Sequence, residues 1–131
     1  MPIRPVKELV AEAKTKIESL SVDQTQALHA SDDILLVDIR DPRELHREGR
    51  IPGAFHAPRG MLEFWIDPSS PYHKPALATD KKLVLFCASA WRSALSVKAL
   101  QDMGVDNIAE MEGGFGDWVK SGAPVNKDEP K

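Results

Sequence analysis

A short apolar run, a single cysteine and an amphipathic helix follow one another in the sequence, and this succession limits the fold most strongly. Residues 83–86 are all apolar, which is typical of a strand buried on both faces. Residues 92–103 carry apolar side chains at helical spacing, and Gly104 is placed to end that helix. The sequence therefore predicts that Cys87 lies in a short loop between the carboxyl end of a strand and the N-terminus of a helix.

The predicted position of Cys87 has a chemical consequence. The first amides of a helix lack an internal partner, and together with the helix dipole they favour an anion at that end. A cysteine reacts as its thiolate, which a helix N-terminus and a neighbouring guanidinium both stabilise, and Arg92 supplies such a guanidinium. The pattern indicates an activated nucleophile, although placement alone also allows a buried cysteine that packs as a small apolar residue.

The size and charge of the chain exclude several functional classes. Its 131 residues suffice for one domain, and the net charge of −3 with dispersed basic residues argues against nucleic-acid binding. No stretch approaches the ~18 apolar residues of a transmembrane helix, and the N-terminus lacks the apolar core of a signal peptide. We therefore expect a cytoplasmic protein without a membrane or nucleic-acid partner.

The cysteine and histidine content bears on disulfides and metal binding. With one cysteine the chain forms no internal disulfide, and a zinc site built from several cysteines is excluded. The histidines are far apart and lack ligand spacing, which favours surface or packing roles for His29, His46, His56 and His73. We therefore expect no metal site.

Hydrophobic periodicity divides the chain into three parts. Residues 1–18 form an N-terminal part, predicted to be an amphipathic helix over residues 4–18 that packs on the domain or extends it. Residues 19–123 form the domain, and residues 124–131 form a polar, disordered tail. The predicted strands cover residues 19–21, 34–39, 54–57, 83–86 and 105–111. The predicted helices of the domain cover residues 21–30, 41–49, 59–66, 92–103 and 115–120.

The alternation of strands and helices predicts a parallel α/β sheet that is covered by helices on both faces. In such sheets, ligands bind beyond the carboxyl ends of the strands. This rule places the candidate site residues together at one edge of the sheet: Asp38, Arg40, His56, Arg59, Cys87 and residues 110–114.

Four sequence blocks resemble those of the rhodanese-like sulfurtransferases. They are residues 36–44 (LVDIRDPRE), 49–54 (GRIPGA), 87–93 (CASAWRS) and 112–118 (EGGFGDW), and their order and spacing match over about residues 20–122. The resemblance implies a rhodanese-like α/β fold with a central parallel five-stranded sheet and helices on both faces.

The resemblance also implies a reaction. Sulfane sulfur would move from thiosulfate or a similar donor, through a persulfide of Cys87, to a thiophilic acceptor such as cyanide or a thiol. The implied partners are a small-molecule sulfur donor and acceptor, or a thiol-bearing protein. No metal or organic cofactor is implied.

Individual residues take roles from the same resemblance. Cys87 is the nucleophile, and Asp38 is expected to brace its loop through Arg92. The amides expected to cradle the sulfur are those of Ala88, Ser89, Ala90, Trp91 and Arg92. Two residues depart from the family pattern. Ala90 stands where glycine is frequent, which costs about 1 kcal/mol if its φ is positive, and Trp91 is bulky enough to wall one side of the pocket.

Two further arginines are predicted at the same edge of the sheet. Arg59 either binds the sulfonate end of a donor or remains a solvated residue at a helix start, with Glu63 as an ion-pair partner. For Arg40 the favoured interpretation is an ion pair with Glu44.

Two other functions stay open on the sequence alone. Cysteine-dependent phosphatases and arsenate reductases have a longer loop between cysteine and arginine, whereas four residues separate Cys87 from Arg92, which suits a single sulfur atom better. The second alternative is a non-catalytic rhodanese-like binding module or sulfur-relay module, although inactive relatives usually lack the cysteine.

Overall fold

The chain folds around one five-stranded sheet in which every strand is parallel to its neighbours. This is seen in a computed structural model that describes residues 2–127. The strands are β1 (Glu18–Leu20), β2 (Ile34–Asp38), β3 (Phe55–His56), β4 (Lys82–Phe86) and β5 (Ile108–Met111). Their spatial order is β1-β5-β4-β2-β3, so β4 lies at the centre of the sheet. The predicted fold class is thereby confirmed.

Six α-helices connect and cover the strands within the described residues. They are α1 (Val6–Lys14), α2 (Val22–Ala30), α3 (Pro42–Glu48), α4 (Leu62–Ile66), α5 (Trp91–Asp102) and α6 (Gly114–Lys120), and 3₁₀ turns occur at Arg59–Met61 and Pro75–Leu77. Two starts follow the sequence signals: Ser21 and Gln24 form a capping box at α2, and Asp41 caps α3 with proline in its first turn.

The sheet is buried on both faces, as the apolar runs predict. Along β4, Val84 and Phe86 belong to one core cluster, whereas Leu83 and Leu85 belong to the other. The first cluster includes Trp118 of α6, and the second includes residues of α4 and α5. Because successive strand residues face opposite sides, a run without polar residues is what a doubly covered strand requires.

The N-terminal helix packs on the domain through α5. Val10 and Ala13 of α1 form a small buried cluster with Ala94 of α5. The helix is shorter than predicted, because it ends at Lys14 and the chain then extends into β1, which pairs with β5. The predicted edge strand near residues 19–21 is thus present at residues 18–20.

The predicted disordered tail is wrong for residues 124–127. The carbonyl of Pro124 accepts a hydrogen bond of 2.8 Å from Nε1 of Trp118, and Val125 packs against the core. Asn126 forms an antiparallel bridge with Arg50. These contacts hold residues 124–126 against the domain, whereas residues 128–131 lie outside the described residues.

None of the helices in the described part of the chain is both long and apolar enough to cross a membrane.

Candidate active site

Cys87 follows the last residue of the central strand and precedes the start of α5, as the sequence predicts. Between them the backbone turns sharply at Ala90, whose φ is 76°. Alanine in this left-handed region costs about 1 kcal/mol relative to glycine. The turn directs the amide of Ala90 back to the cysteine, and its N–H donates a hydrogen bond to Sγ over 3.1 Å.

The cysteine loop is held from behind by α6. The amide of Phe115 donates to the carbonyl of Cys87 over 2.7 Å, and the amide of Gly116 donates to the carbonyl of Ala88 over 3.1 Å. A side chain at Gly114 would place its Cβ 2.4 Å from the Cys87 carbonyl oxygen, which no real contact allows. The glycine pair of the fourth sequence block therefore lets α6 approach the loop closely.

Ala90 is the predicted cradle residue whose amide reaches the sulfur in this structure. A trans peptide directs its C=O and N–H in opposite directions, so the amides of Ala88 and Ser89 point away from α6. Participation of these two amides, and of those of Trp91 and Arg92, stays a prediction. Trp91 is 47% exposed, so its ring lies largely at the surface.

The sulfur atom of Cys87 is buried among both apolar and polar groups. The residue is 1% exposed and belongs to the core cluster of Val97 and Leu62. Its Sγ also lies 3.7 Å from Oγ of Ser93, to which the thiol donates, whereas the Ala90 amide donates to the sulfur. A cysteine serving only as a small apolar residue has no need of these two polar neighbours, and they favour a functional thiol.

Arg92 lies beside the cysteine and forms an ion pair with Glu44 of α3. Two hydrogen bonds of 2.8 and 3.0 Å join the guanidinium to the carboxylate. These bonds lower the pKa of Glu44 against the opposing effect of its burial. They also raise the pKa of Arg92, against its own burial, and the neighbouring Cys87 raises it further. The predicted guanidinium is thus present near the thiol, but it is shared with a carboxylate.

The expected brace between Asp38 and Arg92 is wrong, and so is the expected pair between Arg40 and Glu44. Asp38 instead binds Arg40, with Nε and Nη2 of the arginine donating to the carboxylate over 3.0 and 2.8 Å. Arg40 lies two residues beyond Asp38, the last residue of β2, and its backbone N–H also donates to Oδ1 of Asp38 over 3.0 Å. Glu44 lies on α3 and reaches Arg92 instead.

The Asp38–Arg40 pair supports the cysteine loop indirectly. Arg40 is 0% exposed, donates to the carbonyl of Gly49 over 2.9 Å, and stacks on the ring of Phe115 at 3.9 Å. Phe115 in turn holds the carbonyl of Cys87. The supporting role predicted for Asp38 and Arg40 therefore has a route to the loop through α6.

The carboxyl ends of three strands meet at one edge of the sheet. Strand register places Asp38 beside both Phe86 and His56, and Nε2 of His56 donates to the carbonyl of Arg40 over 2.7 Å. Arg59 begins the next turn, and its guanidinium lies 3.0 Å from Glu63, which confirms that ion pair. A role of Arg59 in binding a donor stays a prediction.

Sequence reasoning named Glu110 only as part of a strand end and assigned nothing to Ser93. Both are fully buried, and Oγ of Ser93 donates to Oε1 of Glu110 over 2.8 Å. A glutamate inside an otherwise apolar strand is a signal that could have identified the first of them.

Metal binding has no visible basis in residues 2–127, where no group of three or more histidine, cysteine or acidic side chains could hold an ion.

Comparison with known proteins places the chain in a family. The model of the rhodanese-like domain matches residues 21–121. A protein of Allochromatium vinosum named sulfurtransferase is 32% identical over 108 residues, which is 82% of this chain and 89% of the relative.

Two solved structures are also similar. One, from Rhodopseudomonas palustris CGA009 and described as a possible tyrosine phosphatase of unknown function, is 51% identical, with a TM-score of 0.90 over 96% of this chain and 99% of that chain. The other, the polysulfide-sulfur transferase homodimer of Wolinella succinogenes, is 34% identical, with a TM-score of 0.71 over 94% of this chain and 88% of that chain. Because the family model matches most of the chain and the relatives agree with it in sequence and fold, the chain belongs to the rhodanese-like domain family.

Proposed function

We propose that the protein is a sulfurtransferase that moves sulfane sulfur through a persulfide on Cys87. The observation that supports this most is the bond from the Ala90 amide to Sγ at the start of α5, with the Arg92 guanidinium alongside. Relatives named sulfurtransferase and polysulfide-sulfur transferase support the same chemistry.

The proposed first half-reaction uses thiosulfate or a similar donor. The thiolate of Cys87 attacks the outer sulfur, and a bond forms between the two sulfur atoms. The bond from the outer sulfur to the sulfonate sulfur breaks, and its electron pair leaves with sulfite. The product is a Cys87 persulfide, a covalent intermediate of a ping-pong mechanism.

The second half-reaction returns the enzyme to its starting state. A thiophilic acceptor, either cyanide, a small thiol or a thiol-bearing protein, attacks the terminal sulfur of the persulfide. The electron pair of the S–S bond returns to Cys87, which leaves as a thiolate. The proposed cycle therefore needs no metal or organic cofactor. The cytoplasmic location of the protein stays a prediction from the sequence.

The charges at the site suit anionic sulfur. The Ala90 amide, which donates to the sulfur, stabilises negative charge there, and the adjacent guanidinium of Arg92 does the same. Arg59 is proposed to bind the sulfonate end of the donor, because it lies at the same edge of the sheet. Its pairing with Glu63 leaves the side chain 35% exposed and thus within reach of an anion.

A phosphatase is the second candidate, because the relative from Rhodopseudomonas palustris is described as a possible tyrosine phosphatase. A phosphoryl group has three oxygen atoms that each require donors around the cysteine. Here the loop between Cys87 and Arg92 is short, and the Ala90 amide already lies 3.1 Å from the sulfur. This geometry favours a ligand of one added atom over a tetrahedral one.

The assay that separates these functions measures two products in parallel. Wild-type protein is expected to form thiocyanate from thiosulfate and cyanide, and to leave p-nitrophenyl phosphate intact. Cys87→Ser is expected to retain the fold and lose thiocyanate formation. Thiocyanate formation that persists in this variant contradicts the proposal, and Cys87-dependent hydrolysis of the ester supports the phosphatase.

A rhodanese-like relay module would give a third pattern. In that case the persulfide forms, but cyanide does not remove its sulfur at an appreciable rate. A protein thiol that accepts the sulfur where cyanide fails would then identify the acceptor class.

A further inference from the structure

Glu110 is a carboxylate buried beneath the cysteine loop, and its partners come from three different elements. The residue lies on β5 and is 0% exposed. Its Oε1 accepts the hydroxyl of Ser93 on α5 over 2.8 Å. Its Oε2 accepts Nζ of Lys14 on α1 and the hydroxyl of Ser19 on β1, each over 3.0 Å. These three donors satisfy the hydrogen bonding of the buried carboxylate. Burying a charge is nevertheless costly, which indicates that this carboxylate has a function at its position.

Ser93 connects this carboxylate to the nucleophile. Its Oγ lies 2.8 Å from Glu110 and 3.7 Å from Sγ of Cys87. A serine hydroxyl has one proton to donate and two lone pairs. Because the carboxylate is the closer and stronger acceptor, the proton of Ser93 points to Glu110, and the lone pairs of Ser93 face the thiol. The thiol proton of Cys87 thus has an acceptor inside the protein.

We propose that Glu110 is a positioning residue that receives the thiol proton of Cys87 through Ser93. The S–H bond of Cys87 breaks and its electron pair stays on sulfur. The proton moves to Oγ of Ser93, whose own proton moves to Oε1 of Glu110. The charge of the buried group is unchanged by this transfer, which needs no oxidant or reductant. The inference rests on the proposed function, because it supplies the thiolate that attacks the donor.

Lys14 ties the N-terminal helix to this proton path. Its side chain is 37% exposed, whereas the Glu110 carboxylate it reaches is wholly buried. Lys14 therefore places a positive charge directly beside the carboxylate that would receive the proton. Through Lys14, helix α1 contacts the proposed proton path as well as packing on α5.

Other charges face the same region and enter any pH dependence. Arg92, on α5, lies beside Cys87 and is paired with Glu44 of α3. The Asp38–Arg40 pair lies behind the loop, on the far side of Phe115. The experiment below leaves all four of these residues unchanged.

The test is the rate at which iodoacetamide alkylates Cys87 as a function of pH. The reagent is neutral, and Cys87 is the sole cysteine of the chain, so intact mass reports one site. Internal transfer does not change the number of protons on the pair, so the thiolate that it creates is a constant share of the singly protonated pair. The wild-type profile is therefore expected to show a flat shoulder on its acidic side, where direct loss of the thiol proton to water becomes rarer than the internal transfer.

The shoulder is expected to disappear in Glu110→Gln and in Ser93→Ala. On the acidic side of the profile, each variant should react about tenfold or more slowly than wild type. The double variant Ser93→Ala/Glu110→Gln should react no more slowly than the slower single variant, because both residues act on one path. Lys14→Gln should strengthen the shoulder, because the proton then no longer moves toward the positive charge of the lysine. A purely structural role of Glu110 predicts none of these changes.

A matched control is available on the same helix. Ser96 is also fully buried on α5, but its hydroxyl donates to the carbonyl of Arg92 over 2.7 Å. Ser96→Ala should retain the shoulder. If Glu110→Gln does not fold, the double variant Lys14→Gln/Glu110→Gln, which removes both charges, serves in its place and should also lack the shoulder.

Three results would overturn the inference. They are a wild-type profile without a shoulder, a shoulder that survives in Glu110→Gln, and faster alkylation of Glu110→Gln, which would mean that the carboxylate only repels the thiolate. Treatment with thiosulfate separates this failure from that of the proposed function. If wild-type protein takes up sulfur but shows no shoulder, only the proposed proton transfer is refuted. If it shows a shoulder but takes up no sulfur, the proton transfer stands and the proposed sulfur chemistry is contradicted.

Discussion

Arg92 and Glu44 face each other at the cysteine loop, joined by hydrogen bonds of 2.8 and 3.0 Å. The arginine side chain is 40% exposed and the glutamate side chain 18% exposed, so the pair closes one flank of the site while remaining partly open to water. Any anionic donor that binds Arg92 therefore competes with Glu44.

Replacing Glu44 by glutamine should strengthen the binding of an anionic donor. Glutamine keeps an acceptor for Arg92 but removes the competing charge, so KM for thiosulfate is expected to fall by about fivefold, the equivalent of ~1 kcal/mol. Steady-state kinetics of thiocyanate formation measure this change. Glu12→Gln, at an ion pair with Arg4 and Lys16 on the N-terminal segment, is the control and should leave KM unchanged. A raised KM in Glu44→Gln would show that the carboxylate is needed to position Arg92.

The same pair predicts a loss of stability in acid. Arg92 holds the pKa of Glu44 below its ordinary value of 4.5, so the pair stabilises the fold above that pH. This contribution is lost as pH falls through the lowered pKa of the folded protein. The difference in free energy of unfolding between wild type and Glu44→Gln should therefore be constant above about pH 5 and shrink toward pH 3. Urea unfolding at several pH values measures it, and a difference that grows in acid would contradict the assignment.

Asp38→Asn should destabilise the protein severely. It removes the carboxylate charge bound directly by the fully buried Arg40, whose other carboxylate neighbour, Glu48, is partly exposed and lies 3.5 Å away. Breaking a buried pair in this way costs about 3 kcal/mol. Urea unfolding measures the loss. Asp102→Asn breaks the exposed pair with Lys98 on α5 and should change stability little. Equal effects of the two substitutions would refute a structural role for the Asp38–Arg40 pair.

Gly114→Ala should impair catalysis as well as stability. Its φ is 58°, and the added Cβ would lie 2.4 Å from the carbonyl oxygen of Cys87, so the cysteine loop must move. Gly122→Ala is matched to it, because Gly122 has a φ of 81° with no atom near the added Cβ. Both substitutions should cost about 1 kcal/mol through φ alone, but only Gly114→Ala should lose sulfur transfer. Full activity in Gly114→Ala would show that α6 does not hold the loop.

Apolar runs and caps predict most of the fold, because they are local signals. The buried strands β2 and β4, the capped starts of α2 and α3, and the placement of Cys87 before α5 all follow from residues close in sequence. The ends of the elements are less certain: α1 stops at Lys14 because the chain must extend there to pair with β5.

Side-chain partners at the site were harder to predict than the elements that carry them. Several acids and arginines meet at one sheet edge, and proximity alone does not assign Asp38 to Arg40 or Glu44 to Arg92. The first pair had a local signal, because Asp38 and Arg40 are only two residues apart in the sequence. The contact of Lys14 with Glu110 had none, since it depends on how α1 crosses α5. The bridge between Asn126 and Arg50 likewise had no local signal, because it joins residues far apart in the sequence.

The central claim is that Cys87 receives and releases a sulfur atom, and intact mass spectrometry tests it most directly. Wild-type protein incubated with thiosulfate and freed of excess reagent is predicted to gain the mass of one sulfur atom, and to lose it again on addition of cyanide. Cys87→Ser is predicted to gain nothing under the same conditions. A wild-type mass that stays unchanged, or an equal gain in Cys87→Ser, would contradict the account.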